Sequence, residues 1–188
     1  MQLYLIRHTT PAVAPGVCYG QSDVDVVETF VAEVQAVRTK IAGITPAASY
    51  SSPLSRCARL ASSLKLGETQ HDARLMELDF GDWEMRAWDD IPREKLDRWG
   101  GAYTHVAPPG GETFTELHTR ASDFLRELIA RHHGHDVVAV THAGVIRALL
   151  ADVLNLPLTE VFRFHLDYGS VTQLKLGEGM PAVGYVNR

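Results

Sequence analysis

Two short apolar runs along the chain each end abruptly in polar residues that include a histidine. Residues 3–6 are followed by Arg7 and His8. Residues 137–140 are followed by Thr141 and then by His142. An uninterrupted apolar run of this length is typical of a strand buried on both faces of a sheet. Ligands of open α/β sheets bind outside the carboxyl ends of such strands, so the two histidines predict a functional site at one sheet edge.

Helical periodicity is the second pattern in the chain. Apolar residues recur every three or four positions, which is typical of an amphipathic helix that buries one face. Capping residues and prolines set the expected starts. These starts are an Asp25–Glu28 capping box, Ser52–Pro53, a Thr113–Glu116 capping box, and about Val145. Gly43, Gly67, Gly134 and Pro157 mark the expected ends.

The remaining apolar segments predict further strands at Ala47–Ser51, Phe162–Leu166, Ser170–Leu176 and about Ala182–Val186. Strands that alternate with helices indicate a three-layer α/β/α fold with a mostly parallel central sheet. At 188 residues, the chain is long enough for one core, and no repeat or linker divides it. We therefore expect residues 1–188 to form a single domain.

Residues 79–110 interrupt this alternation with aromatic residues, glycines and prolines, and Asp89–Trp99 predicts a short helix within them. The stretch is too long for an ordinary connection, and long excursions of this kind are usually functional. We expect it to face the substrate.

Composition and charge limit the classes of partner. The chain is 45% apolar and 22% charged, as in ordinary soluble globular proteins. No apolar run approaches the ~20 residues of a membrane span, and the amino terminus has no signal-peptide pattern, so we expect no membrane association and a cytoplasmic location. A formal net charge of −5 argues against nucleic-acid binding and means that an anionic ligand would need a local cluster of cations. The oligomeric state does not follow from the sequence.

The residues that could bind a metal have simpler interpretations. Cys18 and Cys57 are too few for a disulfide framework or a structural zinc site; reduced thiols are expected, although one bridge between them stays open. The segment Arg131–His135 holds three histidines, but basic residues in a last helical turn also suit the helix dipole, and zinc spacings are absent. We expect no metal and no cofactor.

The candidate chemistry lies in five residues: Arg7, His8, Arg56, Glu77 and His142. Two arginines and two histidines at one sheet edge suit a doubly charged anion, most simply a phosphoryl group, because a guanidinium binds phosphate oxygens bidentately. A carboxyl group nearby could protonate the leaving oxygen and later deprotonate water. Each residue taken singly is weak evidence, since strand-end histidines and helix arginines are commonly structural or solvated.

Five segments in order resemble the histidine phosphatase (phosphoglycerate-mutase-like) superfamily. They are Leu5–Thr9, Ser51–Arg56, Glu77 within Leu75–Gly81, Pro109–Thr113, and Val140–Gly144. The resemblance implies a metal-independent phosphate monoester hydrolase that acts through phosphohistidine. It implies that His8 is the nucleophile, that Glu77 is the acid/base, and that Arg7, Arg56 and His142 hold the phosphoryl oxygens. It also implies that the substrate contacts Arg7, Thr9, Tyr19, Gly20, Arg56 and the backbone N–H of Ala143.

Two further segments, Val17–Val26 and Phe80–Met85, are most similar to α-ribazole phosphatases of cobalamin biosynthesis. The resemblance therefore implies α-ribazole 5′-phosphate as the substrate. Because the phosphate pocket is shared, we expect selectivity from Tyr19–Gly20 and from the aromatic stretch with Phe80, Trp83 and Trp88, in which Trp83 either lines the cavity or belongs to the core. A phosphoglycerate mutase or a broad-specificity sugar-phosphate phosphatase is the alternative; Ala14 stands where mutases carry an asparagine. A module that binds a phospho-ligand without turnover is a remote alternative, because the chain retains all five candidate residues.

Overall fold

A computed structural model, which describes residues 1–177 and 179–188, shows one six-stranded sheet in the order β3-β2-β4-β1-β5-β6. The strands are β1 (Gln2–Arg7), β2 (Ala48–Ser51), β3 (Thr69–His71), β4 (Val137–Thr141), β5 (Val171–Lys175) and β6 (Ala182–Tyr185). The helices are α1 (Phe30–Lys40), α2 (Ser55–Leu64), α3 (Arg93–Gly100), α4 (Phe114–Arg131) and α5 (Ala143–Leu154).

The four strands from β3 to β1 are parallel, and β5 and β6 join the sheet antiparallel. β1 and β4 are direct neighbours, and Arg7 pairs with Thr141 at their carboxyl ends. His8 and His142 therefore leave the sheet side by side, although 134 positions separate them in the sequence. The order of strands brings the two histidines together.

Helices cover both faces of the sheet, as the alternation of side chains along β1 shows. Leu3 and Leu5 join the core beneath α4 and α5, whereas Tyr4 and Ile6 join the core beneath α1 and α2. Successive side chains of a strand point to opposite faces, which is why a continuously apolar strand needs two covering layers. The expected three-layer, mostly parallel α/β architecture is confirmed.

Two expected helix starts were wrong. The Asp25–Glu28 capping box does not form: α1 begins at Phe30, and Asp25 accepts hydrogen bonds from Val26 N–H and Arg59 instead. α2 begins at Ser55 rather than at Ser52–Pro53, and the Ser52 hydroxyl, which still accepts from the backbone N–H of Leu54, also binds His142. Tertiary partners for these side chains outweigh the local capping signal.

The carboxyl-terminal third differs in one element. Leu158–Arg163 forms a 3₁₀ helix, and the strand expected at Phe162–Leu166 is absent from this described stretch. Pro157 precedes the 3₁₀ helix, and Phe162 and Phe164 belong to different surroundings rather than to one strand face.

The short edge strand β3 was not expected, since three residues carry too little periodicity to detect. The Thr113–Glu116 capping box and its helix, in contrast, are confirmed.

The segment 79–110 is tied together by aromatic contacts. Phe80, Trp83, Trp88 and Trp99 pack around one another at ring-centroid distances of 5.4–6.5 Å. The expected short helix lies at Arg93–Gly100. None of the helices within residues 1–177 and 179–188 is long and apolar enough to cross a membrane.

Candidate active site

His8 lies at the centre of the site, 1% exposed, in the first position after β1. Its Nδ1 lies 2.7 Å from the carbonyl oxygen of Thr9. A carbonyl oxygen only accepts, so this contact assigns the proton of the neutral ring to Nδ1 and leaves a lone pair on Nε2. Burial, and then the charges of Arg56 and Arg7, hold the pKa of His8 well below its usual range. The ring is therefore neutral near pH 7.

Two guanidiniums flank this histidine, and the backbone holds both. Arg7 donates from Nη1 to the carbonyl of Leu166, at 2.5 Å. Arg56, which is fully buried, donates from Nη2 to the carbonyl of Gly20, at 2.6 Å, and from Nη1 to that of Ser22, at 3.0 Å. Carbonyls orient these cations without neutralising them, so their positive charge remains available to an anion.

His142 forms the opposite wall, with its ring centroid 5.1 Å from that of His8. Its Nε2 lies 2.9 Å from the hydroxyl of Ser52 and 3.4 Å from Sγ of Cys57. Burial, and then the neighbouring His8 and Arg56, hold its pKa well below the usual range. His142 is thus neutral in the empty site, and a bound dianion would favour its protonated form.

Glu77 reaches the site from the segment after β3, and α5 holds it. Its carboxylate oxygens accept from the backbone N–H of Gly144 at 3.1 and 3.2 Å, and Oε1 also accepts from that of Leu78 at 2.9 Å. A Cβ on Gly144 would lie 2.1 Å from Glu77 Oε1. Glycine at this position is therefore what allows the carboxylate to approach the start of α5.

Three buried polar atoms of this region have no hydrogen-bond partner among the described residues. They are Nε of Arg7, Nε of Arg56 and Oγ1 of Thr9. Buried polar groups are nearly always paired, so a set of unpaired donors around one histidine calls for a ligand rich in acceptor oxygens. A phosphoryl group has that chemistry.

The loop Gly20–Ser22, which accepts the Arg56 hydrogen bonds, is itself held by Glu84. That carboxylate accepts from the backbone N–H groups of Gln21, Ser22 and Phe80. These hydrogen bonds lower the pKa of Glu84 against the opposing effect of burial. A Cβ on Gly20 would lie 2.1 Å from the carbonyl oxygen of Leu78. Glycine at position 20 therefore lets the loop that accepts the Arg56 hydrogen bonds pack closely against Leu78.

Two tyrosines cover the buried histidine. The rings of Tyr19 and Tyr168 lie 6.5 and 5.5 Å from that of His8, and their hydroxyls are 2.7 Å apart. The guanidinium of Arg7 lies 3.9 Å from the centre of the Tyr168 ring. The hydrogen bond between the two tyrosine hydroxyls joins the loop after β1 to the loop before β5 above the site.

A cavity of about 200 Å³ opens beside these tyrosines. Its polar lining comes from Arg7, Tyr19, Glu77 and Arg147, together with the first two residues of α5. Its apolar lining comes from Val17, Leu78, Phe80, Trp88, Phe114 and Phe162. His8, Arg56 and His142 lie behind this surface, where they are almost fully buried.

The position of Trp83 decides between the two alternatives that the sequence leaves open and assigns it to the core rather than to selectivity. Trp83 is 3% exposed and packs with Cys18 and Ile91 in a small core, away from the cavity lining. Phe80 and Trp88 do line the cavity. Trp83, Trp88 and Trp99 all contact one another, so sequence alone could not tell which ring points inward.

Apart from Trp83, the residues expected in the site lie at or beside it, and the sequence missed four others: Ser52, Glu84, Arg147 and Tyr168. Ser52 has the sequence pattern of a helix cap, and Glu84 lies within the Phe80–Met85 segment without a pattern of its own. Tyr168 and Arg147 gave no signal, because neither ends a strand nor belongs to a paired motif.

The remaining cysteines and histidines do not converge. Cys18 and Cys57 are separate free thiols. α4 ends at Arg131, and Nε2 of His132 lies 2.8 Å from the hydroxyl of Tyr50. No group of three His, Cys, Asp or Glu side chains suited to a metal ion occurs in the described part of the chain.

Comparison with known proteins gives a consistent result. The family model of the histidine phosphatase superfamily (branch 1) matches residues 3–188. The chain is 27% identical to the adenosylcobalamin/alpha-ribazole phosphatase of Escherichia coli (strain K12), over 100% of this chain and 96% of that relative. It is 26% identical to phosphoserine phosphatase 1 of Hydrogenobacter thermophilus, over 95% of this chain and 88% of that relative.

The fold is shared with solved structures. The crystal structure of the alpha-ribazole phosphatase from Shigella flexneri superimposes with a TM-score of 0.90 at 24% identity, covering 100% of this chain and 96% of that one. A likeness at this identity establishes the fold, while the family model establishes the relationship.

Proposed function

Since the chain belongs to the histidine phosphatase superfamily and is a phosphatase, we propose that it hydrolyses small phosphate monoesters through a phosphohistidine formed at His8. The observation that carries this proposal is the state of the His8 ring. Its Nδ1–H is committed to the Thr9 carbonyl, so the unprotonated Nε2 is left as the nucleophile between two guanidiniums. An imidazole that was protonated at neutral pH would not attack phosphorus.

In the first step, Nε2 of His8 forms a bond to phosphorus while the bond from phosphorus to the alcohol oxygen breaks. The carboxyl group of Glu77 gives a proton to that oxygen, and the alcohol leaves. In the second step, Glu77 takes a proton from water as the water oxygen attacks the phosphohistidine, which releases inorganic phosphate and restores Nε2.

The arginines stabilise the charge that the phosphoryl oxygens carry in both steps. Arg7 and Arg56 each keep an unpaired Nε among the described residues, and Thr9 adds an unpaired hydroxyl. Cations fixed in advance, in a site shielded from water, stabilise a transferring phosphoryl group as metal ions do in other enzymes. We propose that His142 joins them in protonated form once the dianion is bound.

The nucleophile is tested by His8→Ala. Turnover of p-nitrophenyl phosphate should be abolished, because the nitrogen that attacks phosphorus is removed. In the wild-type protein, turnover should survive a chelator. Rapid quench of the wild-type protein with a ³²P-labelled ester should trap an acid-labile, base-stable phosphoprotein that His8→Ala lacks. His133→Ala, which changes an exposed histidine, is the matched control. Robust turnover by His8→Ala would overturn the mechanism.

For the substrate, we propose α-ribazole 5′-phosphate. Two observations support this: the relatives that span the whole chain include enzymes named alpha-ribazole phosphatases, and Phe80, Trp88 and Phe162 line the cavity. A flat benzimidazole can stack on such rings, a contact worth ~1–3 kcal/mol per base in nucleic-acid complexes. A small carboxylated ester such as 3-phosphoglycerate would gain nothing from them.

The substrate proposal predicts that kcat/KM for α-ribazole 5′-phosphate exceeds that for 3-phosphoglycerate by at least ~10-fold, or about 1.4 kcal/mol of transition-state binding. Trp88→Leu should narrow this ratio, because leucine keeps much of the packing but not the flat ring. The affinity for vanadate should change little in this variant and thus serves as the control. Comparable rates on both esters would reject the ribazole assignment and leave the phosphohistidine chemistry standing.

A further inference from the structure

A third guanidinium, that of Arg147, lines the same cavity as Arg7 and Glu77. Its Nε and Nη2 donate to the carbonyl oxygen of Phe164, at 3.2 and 3.1 Å. A guanidinium has five N–H donors, so the Phe164 carbonyl occupies two of them. Neither hydrogen bond uses Nη1. One edge of the group is anchored, and the other edge is free to bind a ligand.

The position of Arg147 on α5 places it beside the leaving group rather than the phosphoryl group. Ala143 begins the helix, and Arg147 lies one turn later, about 6 Å further along the axis and on the same face. Helical side chains tilt toward the amino terminus, so this side chain leans back toward Glu77. Glu77 is the proposed proton donor to the leaving oxygen, and Arg147 therefore lies where the rest of the alcohol extends.

The charge of Arg147 is not neutralised by the protein. Among residues 1–177 and 179–188, no carboxylate lies within ion-pair distance of its guanidinium. Burial lowers its pKa, while the more distant Glu77 charge acts in the opposite direction. A partly desolvated cation gains more from a hydrogen-bond acceptor than a solvated one does, because less water must be displaced.

The surroundings of Arg147 add an aromatic wall. Its guanidinium lies 5.0 Å from the centre of the Phe162 ring, and this ring is 48% exposed at the mouth of the cavity. The ring of Phe162 is in turn held edge-to-face against Tyr103 at 4.9 Å. The Phe164 carbonyl and the Phe162 ring together hold the guanidinium of Arg147 on one side of the cavity.

We propose that Arg147 forms a subsite for oxygen acceptors on the alcohol half of the phosphate ester. This inference rests on the proposed phosphatase function and deepens it. The free edge of the fork matches a carboxylate or a pair of neighbouring ring hydroxyls, both of which present two oxygens to parallel N–H donors. Arg147 would thus determine specificity, whereas Arg7 and Arg56 read the phosphoryl group that all substrates share.

The test compares esters that differ only in these oxygens. Adenosine 5′-monophosphate is paired with its 2′,3′-dideoxy analogue, and phosphoserine is paired with phosphoethanolamine, which lacks the carboxylate. In the wild-type protein, kcat/KM should favour the oxygen-bearing member of at least one pair by about 10-fold or more, as expected for a hydrogen bond to a charged donor. The pair that shows this preference identifies the source of the oxygens, hydroxyl or carboxylate.

Arg147→Met removes the donors and keeps a long side chain. The kcat/KM ratio between the two members of the pair should therefore fall to about twofold or less. Arg126→Met is the matched control, because Arg126 is an exposed helix residue far from the cavity; it should keep the wild-type ratios. If Arg147→Met does not fold, Arg147→Lys carries the test. Lysine keeps the charge without the fork, and the preference should fall at least threefold.

Two results overturn the inference: wild-type ratios near one for both pairs, or ratios that Arg147→Met and Arg147→Lys leave at the wild-type value. Neither result contradicts the proposed mechanism as long as the wild-type protein forms the His8 phosphoprotein. Absence of that phosphoprotein would instead reject the proposed function itself.

Discussion

At the scale of single residues, the site places its most reactive groups where water cannot reach them. His8, Arg56 and His142 are each at most 1% exposed. Burial keeps both imidazoles neutral, and the fixed charges of the arginines add to this effect. An arriving phosphoryl dianion meets a neutral nucleophile and uncompensated cations, so the same charges that lower the pKa of His8 also attract its target.

The role of Glu77 leads to a prediction about leaving groups. Glu77→Gln keeps the shape of the side chain but cannot donate a proton, so turnover of an alkyl phosphate should slow by ~10²–10⁴-fold. An aryl phosphate should be affected much less, because its leaving oxygen needs little protonation. Steady-state kinetics over a series of esters with leaving-group pKa values between about 7 and 15 would measure this.

Glu112→Gln, which changes a carboxylate paired with Arg120 outside the cavity lining, separates this effect from general loss of charge. The Glu112→Gln variant should slow the turnover of all the esters in the series by similar factors. An equal loss across the whole series for Glu77→Gln would argue against its role as proton donor.

Residues differ in how far the sequence predicts them. Arg7 and His8 can be found because they end a buried apolar run, which is a local signal. Glu77 cannot be found in this way, because it is one of 23 acidic residues and no apolar run or helical period leads up to it. Its place is set by the N–H of Gly144, 67 positions away, and only the resemblance to a family pointed to it. Long-range pairing of this kind leaves no periodic trace.

At the scale of elements, the neighbouring strands β1 and β4 deliver the histidines, and the loops deliver the rest. Loop Gly20–Ser22 is joined to segment Glu77–Glu84 by two of the backbone hydrogen bonds that Glu84 accepts, those from Gln21 and Ser22. Arg56 in turn donates to two carbonyls of that loop. Glu84 is therefore a positioning residue, which links the loop that orients Arg56 to the segment that carries Glu77.

This link predicts the effect of Glu84→Gln. An amide can accept fewer backbone hydrogen bonds than a carboxylate and brings two donors of its own, so unfolding should become easier by about 1–3 kcal/mol. Because Arg56 would be less well oriented, the Kd for vanadate should rise as well. Urea denaturation and vanadate inhibition measure the two effects.

Glu94→Gln, at an exposed position of α3, is the control and should change neither quantity. A purely structural role for Glu84 would lower stability and leave vanadate affinity as it was. That outcome would refute the positioning role.

Element boundaries were predicted less well than elements themselves. Capping residues such as Ser52 and Asp25 carry the chemistry of a helix start, but in the structure His142 and Arg59 also bind their side chains. The local signal was real; tertiary contacts outcompeted it. The apolar residues after Pro157 likewise favour a strand in isolation, whereas the structure forms the 3₁₀ helix that brings Phe162 to the cavity.

At the scale of the whole molecule, an acidic protein holds a strongly cationic site. The formal net charge is −5, yet Arg7, Arg56 and Arg147 lie in or directly behind one cavity. Local potential is set by the nearest fixed charges, since more distant surface charges are screened within about 10 Å at 0.1 M salt. The composition leads us to expect no nucleic-acid binding, but it does not show where in the structure the cations lie together.

The buried histidines make the stability of the whole fold dependent on pH. In the folded protein the pKa values of His8 and His142 lie well below the ordinary value, which the unfolded chain regains. Between the folded value and about 6.5, the unfolded chain binds more protons, so the free energy of unfolding rises with pH in that window. Above pH 6.5 both states are neutral at these positions, and the dependence should level off.

Urea denaturation between pH 5.5 and 7.5 should therefore show stability falling as the pH is lowered below about 6.5, by up to ~1.4 kcal/mol per pH unit for each histidine. His8→Asn should flatten this slope, because one buried imidazole is gone, whereas His133→Asn, at an exposed position, should not. Saturating phosphate should also flatten it, since a bound dianion favours protonated His142 and opposes its pKa shift. A slope that His8→Asn leaves intact would show that His8 is not held neutral by the fold, and the proposed nucleophile would lose its physical basis.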